Sequence, residues 1–289
     1  MRIGIFGNCQ AEGLALAVEA WLPGVETFRQ PVATLPLGQP ERLFEIGQKL
    51  LSCDYVLLQT VDQRRPQFRD FVTGIAETAP DRVARFPVVV FNGFHPDCVY
   101  VMRDGVAVDG PIGAYHSAIA AGAWLEGLSA DRAAKLFNAY VYAQLGYFEA
   151  FDRGLTHLKS DAFDGYDLEV CASRGDIFMH TINHPVVGVL VEIARQALDR
   201  LGIGRRSSVA EPHDPLASSG IWPMYPELAH RLQLPANIAP LDFRSLVARN
   251  FRALQDAVAV GSKSDLTSGG PIGASAIDRA RAFIRSEVI

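Results

Sequence analysis

Four short apolar runs, with helical periodicity between them, fill the first hundred residues. The runs are Ile3–Phe6, Val25–Phe28 (the weakest), Tyr55–Gln59 and Pro87–Phe91. Between them an amphipathic stretch runs from about Ala11 to Trp21. A second carries Leu43, Phe44, Leu50 and Leu51 on one face, and a third carries Phe68, Phe71, Val72 and Ile75. Strands that are apolar throughout, separated by helices, require a parallel sheet covered on both faces. The crossovers are expected to be right-handed. The spacing therefore predicts an α/β fold with a parallel sheet flanked by helices.

After residue 98 the pattern changes. Val99–Met102 and Val106–Val108 flank Asp104-Gly105, a two-residue hairpin signal. Gly110–Gly113 reads as a loop delivering Tyr115-His116-Ser117 to a helix ending near Leu125. Ser129 is placed to cap a helix bearing Leu136, Phe137, Tyr140 and Val141, with helical character to about His157. Ile177–Thr181 reads as a strand. Asn183-His184-Pro185 then opens a helix to about Leu201, with Pro185 in its first turn. Residues 204–240 look irregular, Asp242–Val258 helical, and Gly261–Gly273 a flexible link. The second half is thus largely helical.

Composition narrows the function classes. Hydrophobic residues make up 49% and charged residues 20% of the 289-residue chain, which fits a folded domain and not a disordered one. A net charge of −5 without a long basic run argues against nucleic acid as a partner, although Arg64-Arg65 and Arg205-Arg206 remain able to meet a phosphate. The four cysteines, Cys9, Cys53, Cys98 and Cys171, form no CxxC or Cys/His cluster, so reduced thiols in a cytoplasm and no metal are expected. No signal peptide or transmembrane segment is read.

Four polar clusters interrupt the apolar pattern: Gly7-Asn8-Cys9-Gln10, Asn92 to Asp97, Tyr115-His116-Ser117, and His180 to Pro185. The first two follow the first and fourth predicted strands, at the sheet rim where open α/β folds bind ligands. Cys9 is therefore a candidate nucleophile. A helix start is expected to lower its pKa, its own N–H and that of Gln10 to hold an oxyanion, and Asn8 and Gln10 to add side-chain donors. Its alternative is a small packing thiol. His116 is the leading candidate base, with capping as its alternative. His95, beside Asp97, and His184 are the others. His180 reads as a core histidine; His157, His213 and His230 read as surface residues. The other three cysteines read as packing residues.

Several chemistries are excluded. The position of a tyrosine-phosphatase arginine is Ala15, no Gly-Lys-Ser/Thr or HExxH occurs, and Gly4, Gly7 and Gly13 lack the dinucleotide spacing. Taken together and in order, Gly-Asn-Cys-Gln, Phe-His-Pro-Asp, Tyr-His-Ser and Ile-Asn-His-Pro resemble the WcbI-type polysaccharide biosynthesis family over about residues 1–203. The resemblance implies a Rossmann-like core reminiscent of the SGNH esterases, with cysteine in place of serine. It also implies a coenzyme A-binding acetyltransferase of capsular polysaccharide assembly, using acetyl-CoA as substrate and a sugar as acceptor. By it Cys9 is the nucleophile, paired with a histidine that the reading of the residues places at His116, with Gln10, Asn8 and His95 as the further catalytic candidates. Gly7, Tyr115, Ser117, Asn183 and His184 would line the coenzyme site, and aromatics around Phe137, Tyr140 and Phe148 the pantetheine. Arg29, Arg103 and the Arg205-Arg206 pair are candidates for the diphosphate. Residues 204–289 match nothing in the family and are expected to extend the core within one structural domain, with a homo-oligomer possible. An SGNH-like esterase and a non-catalytic coenzyme A- or nucleotide-binding module are the competing readings.

Overall fold

A computed structural model describes residues 1–36, 38–60, 66–158, 165–172, 175–234, 242–259, 262–269 and 275–288. Arg64-Arg65 lies outside them. The first elements in chain order are β1 (Arg2–Gly7), α1 (Gln10–Trp21), β2 (Glu26–Pro31), α2 (Pro40–Leu51), β3 (Tyr55–Gln59), α3 (Pro66–Thr78) and β4 (Val83–Phe86). Then come β5 (Cys98–Arg103), β6 (Val106–Ala107), β7 (Tyr115–Ser117), α4 (Ala118–Leu125), α5 (Ala130–Ala134), α6 (Ala139–Gln144), α7 (Ala150–Leu158) and α8 (Glu169–Ala172). The last are α9 (Val187–Arg200), α10 (Pro226–Arg231), α11 (Phe243–Val258), β8 (Leu266–Gly269) and α12 (Ala276–Glu287). The chain forms two compact units: Met1–Val89 with Leu158–Arg174 and His184–Ser218, and Val90–His157 with Gly175–Asn183 and Ser219–Ile289.

The first unit is the predicted parallel sheet, in the order β2-β1-β3-β4. Side chains alternate across the pleat. Phe6, Val56 and Leu58 therefore meet Leu50 of α2 and Phe68, Val72 and Ile75 of α3 on one face. Ile3, Ile5 and Leu57 are buried on the other. On that side α1 packs against α9. Gly13 permits the contact, because a Cβ there would lie 2.4 Å from Leu190. The strand order reverses at β1, with β2 on one side and β3 on the other. The turn that carries Cys9 thus leaves the sheet at the switch point, where doubly wound sheets open a crevice.

The second unit holds an antiparallel sheet in which β5 pairs with β6, β7 and β8. Asp104 and Gly105 make the β5–β6 turn at φ 52° and 78°, the left-handed pair that a two-residue hairpin demands. Helices α4, α5, α6, α7, α10, α11 and α12 complete the helical second half. Phe91, Phe94, Phe151 and Phe178 form one aromatic cluster, with ring centroids 4.7–5.5 Å apart.

Several expectations are corrected. The fourth strand is Val83–Phe86, not Pro87–Phe91. Pro87 has no N–H for the ladder, the Val89 N–H goes to Gln10 Oε1 at 3.0 Å, and the Phe91 N–H goes to the Ile182 carbonyl at 2.8 Å. The helix expected from Ser129 ends at Ala134, and Asn138 caps a new one with its Oδ1 on the Val141 N–H. Ile177–Thr181 is not a strand. Pro185 lies ahead of α9, whose first N–H is capped from a distance by Asp214 Oδ2 at 2.8 Å. Residues 262–269, expected as part of a flexible link, contain a capping-box turn and β8, which pairs with β5. The rest of that link, residues 261 and 270–273, lies outside the described residues.

Candidate active site

The turn after β1 is held by side-chain amides. Asn8 donates its N–H to Gln59 Oε1 at 2.7 Å. Position 7 must be glycine, because a Cβ there would lie 2.7 Å from that same oxygen. Asn8 Oδ1 accepts the Gln10 N–H at 2.9 Å, and the Asn8 carbonyl accepts the Ala11 N–H at 3.0 Å. Asn8 therefore caps α1, and Cys9 is already helical at φ −55°, ψ −23°. Gln10 is fully buried. Its Nε2 donates to the Val89 carbonyl at 2.8 Å, and its Oε1 accepts from Val89 N–H at 3.0 Å and Gln59 Nε2 at 3.1 Å. The side chain of Gln10 thus replaces the strand pairing that Pro87 breaks. It is a scaffold, and the expected role of the Asn8 and Gln10 side chains as oxyanion donors is corrected accordingly.

Cys9 is exposed, whereas Cys53, Cys98 and Cys171 are buried. Its thiol pKa is raised from the ordinary 9.0, against the expected lowering. The first cause is desolvation. The residue as a whole faces solvent, yet the sulfur is surrounded by enough protein to disfavour the thiolate. The backbone N–H groups of Cys9 and Gln10 act the other way and lower the pKa. Because the Gln10 N–H is already held by Asn8 Oδ1, the Cys9 N–H is the donor an anion at this turn would meet.

The histidines separate by unit. His184 lies in the first unit with Cys9, is 8% exposed, and stands three residues ahead of α9. His95 and His116 lie in the second unit. His95 is buried, with Nε2 3.1 Å from the Met179 carbonyl. Desolvation pushes its pKa down to about 4. His116 is fully buried in β7, where it is paired with Val99 of β5. Its Nδ1 is 2.8 Å from the Asn250 side-chain amide and its Nε2 3.2 Å from the Val108 carbonyl. Desolvation lowers its pKa, so the ring is neutral. A neutral ring has one N–H. Both atoms that face the ring, Asn250 Oδ1 and the Val108 carbonyl oxygen, are acceptors, so the single N–H donates to one of them and the other nitrogen is covered by an oxygen. In this arrangement neither nitrogen is open to a reacting group. That corrects the expectation of His116 as a ready base.

Other predicted residues do come together. Tyr115 donates its hydroxyl to Asn183 Oδ1 at 2.6 Å, and Asn183 Nδ2 donates to the Tyr100 hydroxyl at 3.1 Å. Ser117 caps α4 by accepting the Ala120 N–H at 3.0 Å. Asp97 orients no histidine. Its Oδ1 accepts from the Ile119 N–H at 2.9 Å and the Tyr147 hydroxyl at 2.8 Å, and its Oδ2 accepts from the Tyr225 hydroxyl. The expected phosphate cations are already engaged. Arg29 is ion-paired with Glu19 at 3.2 Å and Glu12 at 3.8 Å. Arg205 forms a two-pronged pair with Asp199 at 2.9 Å and stacks on Trp21. Of the pantetheine aromatics, Phe137 is buried and stacked on Phe243 at 4.7 Å, while Tyr140 is exposed.

Two residues were missed. Gln59 and Asn250 are fully buried amides. Each leaves a trace in the sequence: Gln59 ends an otherwise apolar strand, and Asn250 falls on the apolar stripe of α11 among Leu246, Val247, Phe251 and Leu254. Among the described residues no group of three His, Cys, Asp or Glu side chains is placed to hold a metal ion. No helix there is long and apolar enough to cross a membrane.

A family model described as "Polysaccharide biosynthesis enzyme WcbI" matches residues 2–206. Comparison with curated proteins and with solved structures finds no match.

Proposed function

We propose, from the premise that the chain belongs to the WcbI family of polysaccharide biosynthesis enzymes, that it transfers an acetyl group from acetyl-CoA to a sugar hydroxyl through Cys9. The observation that carries this reading is the exposed thiol at the start of α1, where the chain leaves the sheet's switch point. Buried cysteines of packing type do not present themselves in that way.

In the proposed cycle a histidine takes the Cys9 proton. The sulfur attacks the thioester carbonyl, and the carbonyl oxygen becomes an oxyanion near the Cys9 backbone N–H. The C–S bond to coenzyme A breaks, the leaving thiolate takes back the proton, and acetyl-Cys9 remains. The base next removes a proton from the sugar hydroxyl, which attacks acetyl-Cys9 and releases the ester and the thiol. We assign the base to His184. It shares the first unit with Cys9, and each residue stands just ahead of one of the two packed helices α1 and α9. A raised thiol pKa makes such a base necessary at neutral pH.

The test is single-turnover acetylation of the full chain with acetyl-CoA, read by intact-mass spectrometry, for wild type, Cys9→Ala and His184→Gln. Wild type is expected to gain one acetyl group, Cys9→Ala none, and His184→Gln to gain it at least tenfold more slowly. Acetyl transfer to a sugar at the wild-type rate in Cys9→Ala would overturn the covalent route. Release of acetate without any acceptor would favour a hydrolase.

A further inference from the structure

A groove of about 760 Å³ runs through the second unit between the β5–β6 hairpin with its continuation to Pro111 and the outer face of α11. Ligand sites commonly have this size. Its two walls are tied together at three points. Arg103 donates to the Ala257 carbonyl, and Arg249 to the Pro111 carbonyl at 3.3 Å. Beneath them the buried His116 ring spans from the Val108 carbonyl to Asn250. A cleft fixed in this way loses little ordering entropy when a ligand enters. His116 and Asn250, both fully buried, are thus positioning residues for the groove.

The charges in the groove are unusual in what they leave undone. Arg103, Arg249 and Arg252 share it with Asp104, Asp109 and Asp256, yet among the described residues no ion pair joins any of the six. Arg252 and Asp256 are one helical turn apart on α11, the spacing at which such a pair readily forms. Three fork-shaped donors, two of which give one N–H to a carbonyl and keep the others, and three carboxylates outside ion pairs suit a ligand with an anionic group and several hydroxyls. Guanidinium groups bind phosphate in a two-pronged fashion, and carboxylates accept hydroxyl protons. Among the described residues no aromatic side chain lines the groove, so a nucleotide base would find no stacking face there. The three aspartates would also repel a ligand with several phosphates, such as coenzyme A.

We propose that this groove binds a phosphorylated sugar, with the phosphate on Arg249 and Arg252 and the hydroxyls on Asp104, Asp109 and Asp256. Naming that sugar the acetyl acceptor rests on the function proposed above; the binding itself does not. The test is calorimetric titration of the full chain with a set of hexose 1- and 6-phosphates, the parent hexoses, inorganic phosphate and coenzyme A. The expected result is that at least one hexose phosphate binds at least tenfold more tightly than its parent hexose. The R249A/R252A variant should weaken it at least tenfold without changing coenzyme A affinity. Asp256→Asn should weaken the hexose phosphate and spare inorganic phosphate. Both arginines are exposed, and R252A alone, with a melting curve, serves if the double variant is unstable. Failure of every hexose phosphate to bind, an unchanged affinity in R249A/R252A, or a parallel loss of coenzyme A binding would each overturn the assignment. Self-acetylation of Cys9 reports separately on the reaction, so the two claims fail independently.

Discussion

The turn at Cys9 and the pocket around Asp97 both rest on buried polar side chains, but they bury different kinds. At the turn the buried groups are neutral amides, Gln10 and Gln59, and the one ionisable group is left at the surface. Around Asp97 the ionisable groups themselves are sealed in, with His95 two residues away and the hydroxyls of Tyr147 and Tyr225 on the carboxylate. An amide can satisfy donors and acceptors without a titration, so it fixes geometry at every pH. A sealed carboxylate holds its neighbours firmly but makes the fold answer to protons. The first arrangement suits a reacting group, the second a structural joint.

The largest expected effect breaks the joint. Asp97→Ala leaves the Ile119 N–H and two tyrosine hydroxyls without their acceptor. Each buried donor so orphaned costs about 1–3 kcal/mol, and a loss of about 3–6 kcal/mol in urea unfolding is expected. A loss below about 1 kcal/mol would show that water fills the pocket and that the carboxylate is dispensable. The neutral scaffold should yield less. Gln59→Leu removes the acceptor of the Asn8 N–H and the donor to Gln10 Oε1, for about 2–3 kcal/mol. Unlike the Asp97 variant, it should lower the rate of Cys9 acetylation even under conditions where the protein stays folded, because the turn loses its anchor.

A pH series sharpens the same contrast. Burial pushes the Asp97 carboxyl up from 3.8 to about 6 and the His95 imidazole down from 6.5 to about 4. Asp97 holds its proton more tightly in the folded state. Its contribution is complete below about pH 4 and is lost as pH rises to about 6. The folded state favours neutral His95, whose contribution is complete above pH 6.5 and is lost as pH falls to about 4. The two oppose each other across that window. Asp97→Asn should therefore make stability climb with pH between 4 and 6 more steeply than in wild type. His95→Gln should make it decline. Parallel curves for all three proteins would mean that neither group titrates as its burial implies.

How much of this was legible in the sequence follows from the range of the forces. Strand and helix periods are local, so β1, α1, α2, β3 and α3 were read within a few residues, and Asp104-Gly105 announced its hairpin. The fourth strand was misplaced because Val83–Phe86 carries Arg85, while Pro87–Phe91 looks ideal until the proline and the distant Gln10 are considered. Strand β8 was missed because Leu-Thr-Ser-Gly has little β character of its own and is made a strand by pairing with β5. At the site, the polar clusters marked the right segments but not the direction of their side chains. Tyr-His-Ser reads as a helix start from Ser117 onward. That His116 turns inward to Asn250, 134 residues away, is a tertiary fact. The histidines drew attention as reactive groups, while the glutamines that do the positioning were the quieter signal.

The smallest expected effect bears on Cys9 itself. An exposed side chain that makes no capping bond carries little of the fold, so Cys9→Ser should change unfolding free energy by no more than about 0.5 kcal/mol. Its reactivity should be distinctive in the opposite sense. Because desolvation raises its pKa above 9.0, the thiol is almost wholly protonated at pH 7. Alkylation by iodoacetamide should be slow there and should accelerate as pH rises through 9 and beyond, as the thiolate fraction grows. The three buried cysteines should react only after denaturation, which lets peptide mapping assign the fast site without mutation. A substrate analogue in which a thioether replaces the thioester should then be decisive. If it brings a base to the sulfur, the alkylation profile shifts to lower pH. If the profile stays put in its presence, the sulfur receives no help with its proton, and the covalent cycle loses the step on which it turns.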